Sequence, residues 1–127
     1  MPRLVKGGKF VFGWSRVGED GRIIVPPEAI EEYGLEDVER VILLSGSKKS
    51  GGFRLTTVEL LQGTTIGTVL DENPRLARFE SPEGEAERIK AKTYCWVGME
   101  KNGVFSVPLE TLKKYSIEPG DMLLVVR

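Results

Sequence analysis

The chain has 127 residues, of which 40% are hydrophobic and 29% charged, a composition typical of one globular domain with a real core. It has no histidine, which excludes Ser-His-Asp and Cys-His catalysis and histidine metal sites. No apolar stretch approaches the roughly 20 residues of a membrane helix, and no signal peptide is expected. The single cysteine, Cys95, is expected to be buried on a strand and fits a reducing cytoplasm. We therefore expect a cytoplasmic, non-enzymatic protein without cofactor or metal.

The net charge of −1 is unevenly distributed along the chain. Residues 1–18 carry four basic side chains and no acidic one, whereas residues 19–45 carry eight acidic and two basic side chains. Nucleic-acid-binding domains usually show a dense basic face. In this chain the only basic run free of acids is the N-terminal arm.

The first regular segment covers residues 10–45. An apolar stretch leads to Asp20-Gly21, a pair that predicts a type I′ turn with positive φ at both central residues. The following β-branched run ends at Pro26, because proline cannot continue a ladder. A short helix is predicted for residues 28–33, stopped by Gly34, and the apolar run 41–44 predicts another strand.

The connecting segment, residues 46–91, has no counterpart elsewhere in the chain. The pattern predicts a glycine- and serine-rich loop over residues 46–52, a helix near 57–62, a second helix from 66 to 72, a turn at 81–84 and a strand over 88–96. Its apolar content favours a crossover and lid on the rest of the protein over a disordered linker.

Residues 92–127 repeat residues 10–45 at a constant offset of 82 positions. A random pairing of this length would give about two identities. The observed seven are Trp14/Trp96, Gly21/Gly103, Val25/Val107, Pro26/Pro108, Glu28/Glu110, Tyr33/Tyr115 and Glu36/Glu118. Each unit therefore predicts the order strand, tight turn, strand, short helix, turn, strand.

The second unit adds two details to this prediction. Leu109, Leu112 and Tyr115 are spaced three apart and predict one apolar stripe on the helix. The run 122–126 is apolar at every position, which is expected of a strand buried on both faces.

The repeated motif resembles the AbrB/SpoVT/MazE group of proteins. In the first unit it is Asp20-Gly21 followed by Val25-Pro26 and Glu28, and in the second unit Asn102-Gly103 is followed by Val107-Pro108, Glu110 and Pro119-Gly120-Asp121. Two copies in one chain are similar to the MraZ arrangement. The resemblance implies a mainly β protein with short helices. Its two repeats, 10–45 and 92–127, would form a pseudo-two-fold swapped-hairpin β-barrel within a single domain, 1–127.

The resemblance also implies a function, that of a DNA-binding transcriptional regulator. Family members that bind DNA use basic residues beside the turn and on the short helix. Arg16 matches the basic position five residues before the turn glycine, and Arg22 matches the arginine directly after it. Lys101 and Lys113 supply charge in the second unit, and Lys9 supplies it from the arm. The expected partner is double-stranded DNA, with a homo-oligomer possible.

A second hypothesis is a protein-interaction or small-ligand-binding barrel that has lost DNA binding. Gly98 and Val104 stand in the second unit where Arg16 and Arg22 stand in the first, so the expected basic surface is half populated. The acidic residues Glu28, Glu31 and Glu32 share roughly one face of the first helix. A solvated surface explains them better than a metal site does.

Overall fold

Strands from the two halves of the chain alternate in the sheets of the computed structural model, which describes residues 3–4, 10–45 and 52–126. The first half forms β1 (Arg3–Leu4), β2 (Phe10–Arg16), β3 (Arg22–Ile24), α1 (Pro27–Glu32) and β4 (Arg40–Ser45). Helix α1 begins with Pro27 in its first turn, where the missing N–H needs no partner. The helix gives way to Gly34, whose φ is +63°.

The connecting segment forms β5 (Phe53–Thr56), α2 (Val58–Leu61), α3 (Thr65–Asp71), α4 (Pro74–Ala77) and β6 (Glu87–Ile89). Two threonines cap its helices. The side chain of Thr57 accepts a hydrogen bond from the N–H of Leu60 (3.1 Å), and that of Thr64 from the N–H of Gly67 (3.0 Å). The two longer predicted helices are thus present within one to two residues of their expected positions.

The last part of the chain forms β7 (Lys92–Gly98), β8 (Val104–Ser106), α5 (Leu109–Lys114) and β9 (Met122–Val126). The first three of these elements begin and end 82 residues after β2, β3 and α1, and β9 begins 82 residues after β4. The conformations agree as well. The helix-capping residues Pro26 and Pro108 have φ of −56° and −54°, and Tyr33 and Tyr115 both have φ of −98°.

Strands of one unit pair with strands of the other unit. β2 pairs antiparallel with β9, β4 with β7, and β3 with β8. The registers are also equivalent, since Trp14 lies opposite Leu124 in one sheet and Trp96 lies opposite Ile42 in the other. The third strand of each sheet follows the same relation, because β1 pairs with β2 and β6 pairs with β7.

The prediction of a mainly β protein with short helices is confirmed, but a closed barrel is not found. The described strands form three sheets, with the orders β1-β2-β9, β3-β8 and β5-β4-β7-β6. The central ribbon of β3 and β8 is only three residues long. Each strand stops two residues before a proline, Pro26 or Pro108, which has no N–H to extend a ladder. The ribbon therefore does not join the two larger sheets by hydrogen bonds.

The predicted type I′ turn is wrong. The first turn, Gly18–Gly21, is closed by a 3.0 Å hydrogen bond from the N–H of Gly21 to the carbonyl of Gly18. Among its residues only Gly21 has a positive φ, +84°. The strands on either side separate into different sheets, so the two-residue connection of an ordinary hairpin is not required. The second turn, from Glu100 to Gly103, has the same closing bond at 2.9 Å.

The main core lies between the sheets and draws on both units. The Tyr115 hydroxyl donates a hydrogen bond to the carbonyl of Leu43 (2.9 Å), and the Tyr115 ring lies 5.5 Å from that of Phe53. Burial of Val41, Leu43, Cys95, Val97, Val107, Leu112 and Tyr115 is nearly complete. Removing these side chains from water is the dominant favourable term in holding the two units together.

A second core lies beneath the helices of the connecting segment. Leu61, Leu70 and Leu76 project from the three helices and pack on the outer face of β4 and β7. There they bury Ile42, Leu44 and Tyr94. The segment therefore covers the outside of one sheet.

Three further expectations need correction. The strand predicted over residues 88–96 is two strands, because Ile89 pairs with Lys92 across a bend in which Lys90 has a φ of +57°. Leu109, predicted on the buried stripe of α5, is exposed, whereas Leu112 and Tyr115 are buried. β9 is buried on one face only. Its alternate residues Met122, Leu124 and Val126 are exposed, because no helix lies over them as the connecting segment lies over β4.

The two turn glycines are expected to differ in their tolerance of alanine. A Cβ at Gly21 would collide with the carbonyl oxygen of Val107 in addition to straining a positive φ. We expect Gly21→Ala to lower the free energy of unfolding by about 2–3 kcal/mol. Gly34 also has a positive φ but an open surrounding, so Gly34→Ala should cost only about 1 kcal/mol. Urea unfolding of the two variants measures this difference, and equal losses would contradict the proposed collision.

Candidate nucleic-acid interface

The first turn presents two arginines on its flanks. Arg16 ends β2 and Arg22 begins β3, and both side chains are exposed. Within the turn, the carboxylate of Asp20 accepts a hydrogen bond from the N–H of Arg22 (3.1 Å), and the N–H of Gly18 donates to the Arg22 carbonyl (2.9 Å). These bonds fix the backbone that carries both arginines.

Each turn is tied by a backbone hydrogen bond to the helix of the other unit. The N–H of Val107 donates to the carbonyl of Gly21 (3.1 Å), and Val107 immediately precedes Pro108 at the start of α5. In the same way, the N–H of Val25 donates to the carbonyl of Gly103 (2.9 Å) at the start of α1. The fold thus pairs the first turn with α5 and the second turn with α1.

This exchange sorts the charges. Helix α5 ends in Lys113 and Lys114, which are exposed and favourably placed at a helix C-terminus. The first turn and its two arginines therefore share one end of the molecule with the basic helix. Helix α1 has no basic residue, and its acidic side chains Glu28, Glu31 and Glu32 share the other end with the second turn.

The predicted site residues are accordingly only partly brought together. Arg16, Arg22 and Lys113 belong to the first-turn end. Lys101 is exposed in the second turn, at the other end of the three-residue β3–β8 ribbon, or roughly 10 Å away along the strand direction. Lys9 lies outside the described residues.

Sequence reasoning undervalued Lys114 as a member of this surface. It was noted only as part of the charge of the second unit. The signal that could have found it is the last turn of a short helix, where two adjacent lysines are favoured by the helix dipole. Its assignment to the first-turn end depends on the exchange of helices between units, which the sequence spacing does not reveal.

The basic side chains at the first turn are available for an external anion. Within residues 10–45 and 52–126, Arg16, Arg22 and Lys113 form no salt bridge, whereas Lys90 lies 3.8 Å from Glu72. A phosphate approaching the first turn therefore displaces no carboxylate from these cations. The acidic α1 end offers a phosphate repulsion instead.

Other chemistries find little support in the described structure. No group of three or more cysteine, aspartate or glutamate side chains among the described residues is arranged to hold a metal ion. A depression of about 320 Å³ is lined by Lys113, Ser116, Ile117, Glu118 and Asp121. Its Asp121 carboxylate already accepts a hydrogen bond from the N–H of Glu118 (2.9 Å). The depression mixes both charges and converges on no single ligand chemistry.

Comparison of the chain with protein-family models, with curated proteins and with solved structures found no match. The helices α1 to α5 are at most seven residues long, and none of those described could cross a bilayer.

Cys95 is buried, as expected from its place on a strand, and its surroundings make it chemically inert. Burial raises the pKa of its thiol to about 11, while a hydrogen bond with the Tyr115 hydroxyl (3.5 Å) acts weakly in the opposite direction. The pKa of Tyr115 is also raised by burial. A thiol of this kind remains protonated and unreactive at neutral pH.

We expect the native protein to resist thiol-disulfide reagents at pH 8 and to react completely once unfolded. The raised pKa also has a stability consequence. The unfolded thiol loses its proton first, so the contribution of Cys95 is complete below pH 9, its ordinary pKa, and declines as the pH rises toward about 11. Labelling with a chromogenic disulfide, with and without guanidinium, gives the measurement. Immediate stoichiometric labelling of the folded protein would show that the thiol is exposed.

Proposed function

We propose that the protein is a non-enzymatic, DNA-binding regulator that contacts the DNA backbone with the surface around its first turn. The observation that carries this proposal is the placement of Arg16 and Arg22 on the flanks of that turn, exposed and without a carboxylate partner in the described structure. The lysines of α5, Lys113 and Lys114, stand at the same end of the molecule. These side chains are suited to phosphate contacts, which supply much of the affinity for DNA.

The proposed surface is small, and this has a consequence for the mode of binding. The whole chain has a net charge of −1, so no general positive field draws DNA to it. The acidic α1 end would repel phosphates, which leaves the first-turn end as the side facing DNA. Binding in this orientation is asymmetric although the strand pairing is nearly two-fold symmetric. Lys101, beside α1, is expected to contribute less than Arg16 and Arg22.

The family resemblance supports the same proposal from the sequence. In this proposal the two repeats correspond to a swapped-hairpin unit of the AbrB type, with Arg16 and Arg22 at the positions that such proteins use for DNA. The second unit lacks both arginines. The pairing of the first turn with the basic helix α5 makes up part of that loss, because it collects basic residues from both units at one end.

Reversing the charge of the two arginines is expected to abolish most DNA binding. For the Arg16→Glu/Arg22→Glu variant we expect at least a tenfold loss of affinity, on the order of 1.4 kcal/mol or more. We also expect the slope of log affinity against log salt to fall by about two, because two phosphate contacts are removed. The measurement is fluorescence anisotropy of a labelled pool of random-sequence duplexes over a salt series.

The matched control is Arg75→Glu/Arg88→Glu, which changes the net charge equally. Both arginines are exposed and lie in the connecting segment, away from either turn. Their reversal should leave affinity and salt slope close to those of the unmodified protein. An equal loss in both variants would mean that net charge alone governs binding, and no binding by the unmodified protein at low salt would reject the proposed function.

A further inference from the structure

The outer face of the sheet formed by β1, β2 and β9 is apolar and bare. Trp14, at the centre of β2, is 55% exposed, and its cross-strand partner Leu124 is 44% exposed. On the same face of β9, Met122 is 54% exposed and Val126 38%. Large apolar side chains that are contiguous and exposed on one sheet face mark an interaction surface more often than chance. We call these four residues the β9 face.

The same face of the other large sheet is covered within this chain. Trp96 occupies the position equivalent to Trp14, but its indole N–H donates to the carbonyl of Ser81 (2.7 Å). The ring of Phe79 packs against it with centroids 5.4 Å apart, and the guanidinium of Arg40 lies 5.9 Å from the Trp96 ring. No comparable partner of Trp14 is present among the residues that the structure places. The fold itself thus shows what a tryptophan at this position is packed against when the face is covered.

The edges of the two sheets differ in the same way. The free edge of β4 is occupied by β5, which pairs antiparallel so that Leu43 lies opposite Leu55. The equivalent edge belongs to β9, and no strand in the described residues pairs with it. The chain has one connecting segment, and the sheet of β4 and β7 takes it. An unpaired, apolar edge strand is a template for pairing with another chain.

We propose that this edge and the β9 face form the interface of a homodimer, in which β9 pairs antiparallel with β9 of a second copy about a two-fold axis at Leu124. The pairing joins two three-stranded sheets into one continuous six-stranded sheet. Leu124 then lies opposite Leu124 of the second copy, and Met122 lies opposite Val126 of that copy. The apolar faces of the two copies become neighbours on one side of the sheet.

A second copy fits this edge because β9 is complementary to itself. A register centred on Leu124 aligns all five residues of the strand with five residues of the other copy, and any other symmetric register aligns fewer. The strand has no charged residue to oppose a like charge across the axis. A two-fold contact of this kind is closed, so it satisfies the edge without leading to longer assemblies.

The area agrees with a reversible dimer. With roughly 150–250 Å² for a large side chain, the exposed fractions leave on the order of 400 Å² of apolar surface on each copy. Two copies can therefore remove about 800 Å² of apolar surface, at the lower end of biological interfaces, to which the backbone hydrogen bonds of the new strand pair are added. We expect dissociation in the micromolar range. This dimer does not depend on the proposed DNA binding.

Sedimentation velocity over a protein concentration series tests the association. The unmodified protein should shift from monomer to dimer as its concentration passes through the micromolar range. Leu124→Lys places a charge on the two-fold axis and meets its own copy, so it should raise the dissociation constant at least about tenfold. Leu60→Lys is the matched control, because Leu60 is 48% exposed on α2, outside the β9 face. This variant should dimerise like the unmodified protein.

Cysteine substitution tests the register. Under mild oxidation Leu124→Cys should form a disulfide-linked dimer, since directly opposite residues in an antiparallel pair lie close enough to bridge. Met122→Cys alone should not, because its counterpart in the second copy lies four residues away along the strand. The double variant Met122→Cys/Val126→Cys should bridge again. The native Cys95 is fully buried and does not interfere.

A concentration-dependent dimer that is weakened by Leu124→Lys and bridged at position 124 supports the proposal. A protein that stays monomeric throughout the series overturns it, and so does a dimer unaffected by Leu124→Lys. Bridging by Met122→Cys alone would also overturn it, because the register would then be centred elsewhere. Retention of DNA binding in a monomeric Leu124→Lys variant separates the fate of this proposal from that of the proposed function.

Discussion

The exchange of strands between the two units is the constraint on which the rest of the structure depends. The first strand of each unit finds its hydrogen bonds on the third strand of the other, and the second strands pair only with each other. Neither unit can satisfy its own backbone, and an unpaired buried backbone group costs free energy comparable to a lost hydrogen bond. The bonds from Val107 to Gly21 and from Val25 to Gly103 complete the exchange at the turns. Folding must therefore assemble both units together.

A nearly symmetric backbone carries two asymmetric surfaces. Because each turn adjoins the helix of the other unit, charges that are scattered in the sequence are sorted into a basic end, with Arg22 and Lys113, and an acidic end at α1. The connecting segment breaks the symmetry a second time. It buries Ile42, Leu44 and Trp96 on one sheet and has no counterpart for Leu124 and Trp14 on the other. One asymmetry concerns charge and the other hydrophobic burial, so the two surfaces can serve different partners.

The centre of the molecule is occupied by groups that do no chemistry. Tyr115 donates its hydroxyl proton to the Leu43 carbonyl and touches the Cys95 sulfur, and burial raises the pKa of both side chains. A buried hydroxyl must find such a partner or lose stability. The polar contact at the core thus fixes α5 against β4, and with it the position of the basic helix at the first turn. The candidate surface depends on this packing although it lies outside the core.

The sequence by itself determined the local structure. The offset of 82 residues, the glycines of the turns and the prolines after the second strands specify elements whose bounds agree between the units, because these signals act over a few residues of backbone. It also selected Arg16 and Arg22 as a flanking pair. Which helix joins which turn, and therefore where Lys113 and Lys101 lie, was decided only by strand exchange over long distances. The apolar residues of β9 show the limit most clearly. Leu124 and Leu44 look alike in sequence, but Leu44 is buried because residues 58–77 lie over it, and Leu124 is exposed because burial is set by what the rest of the chain covers.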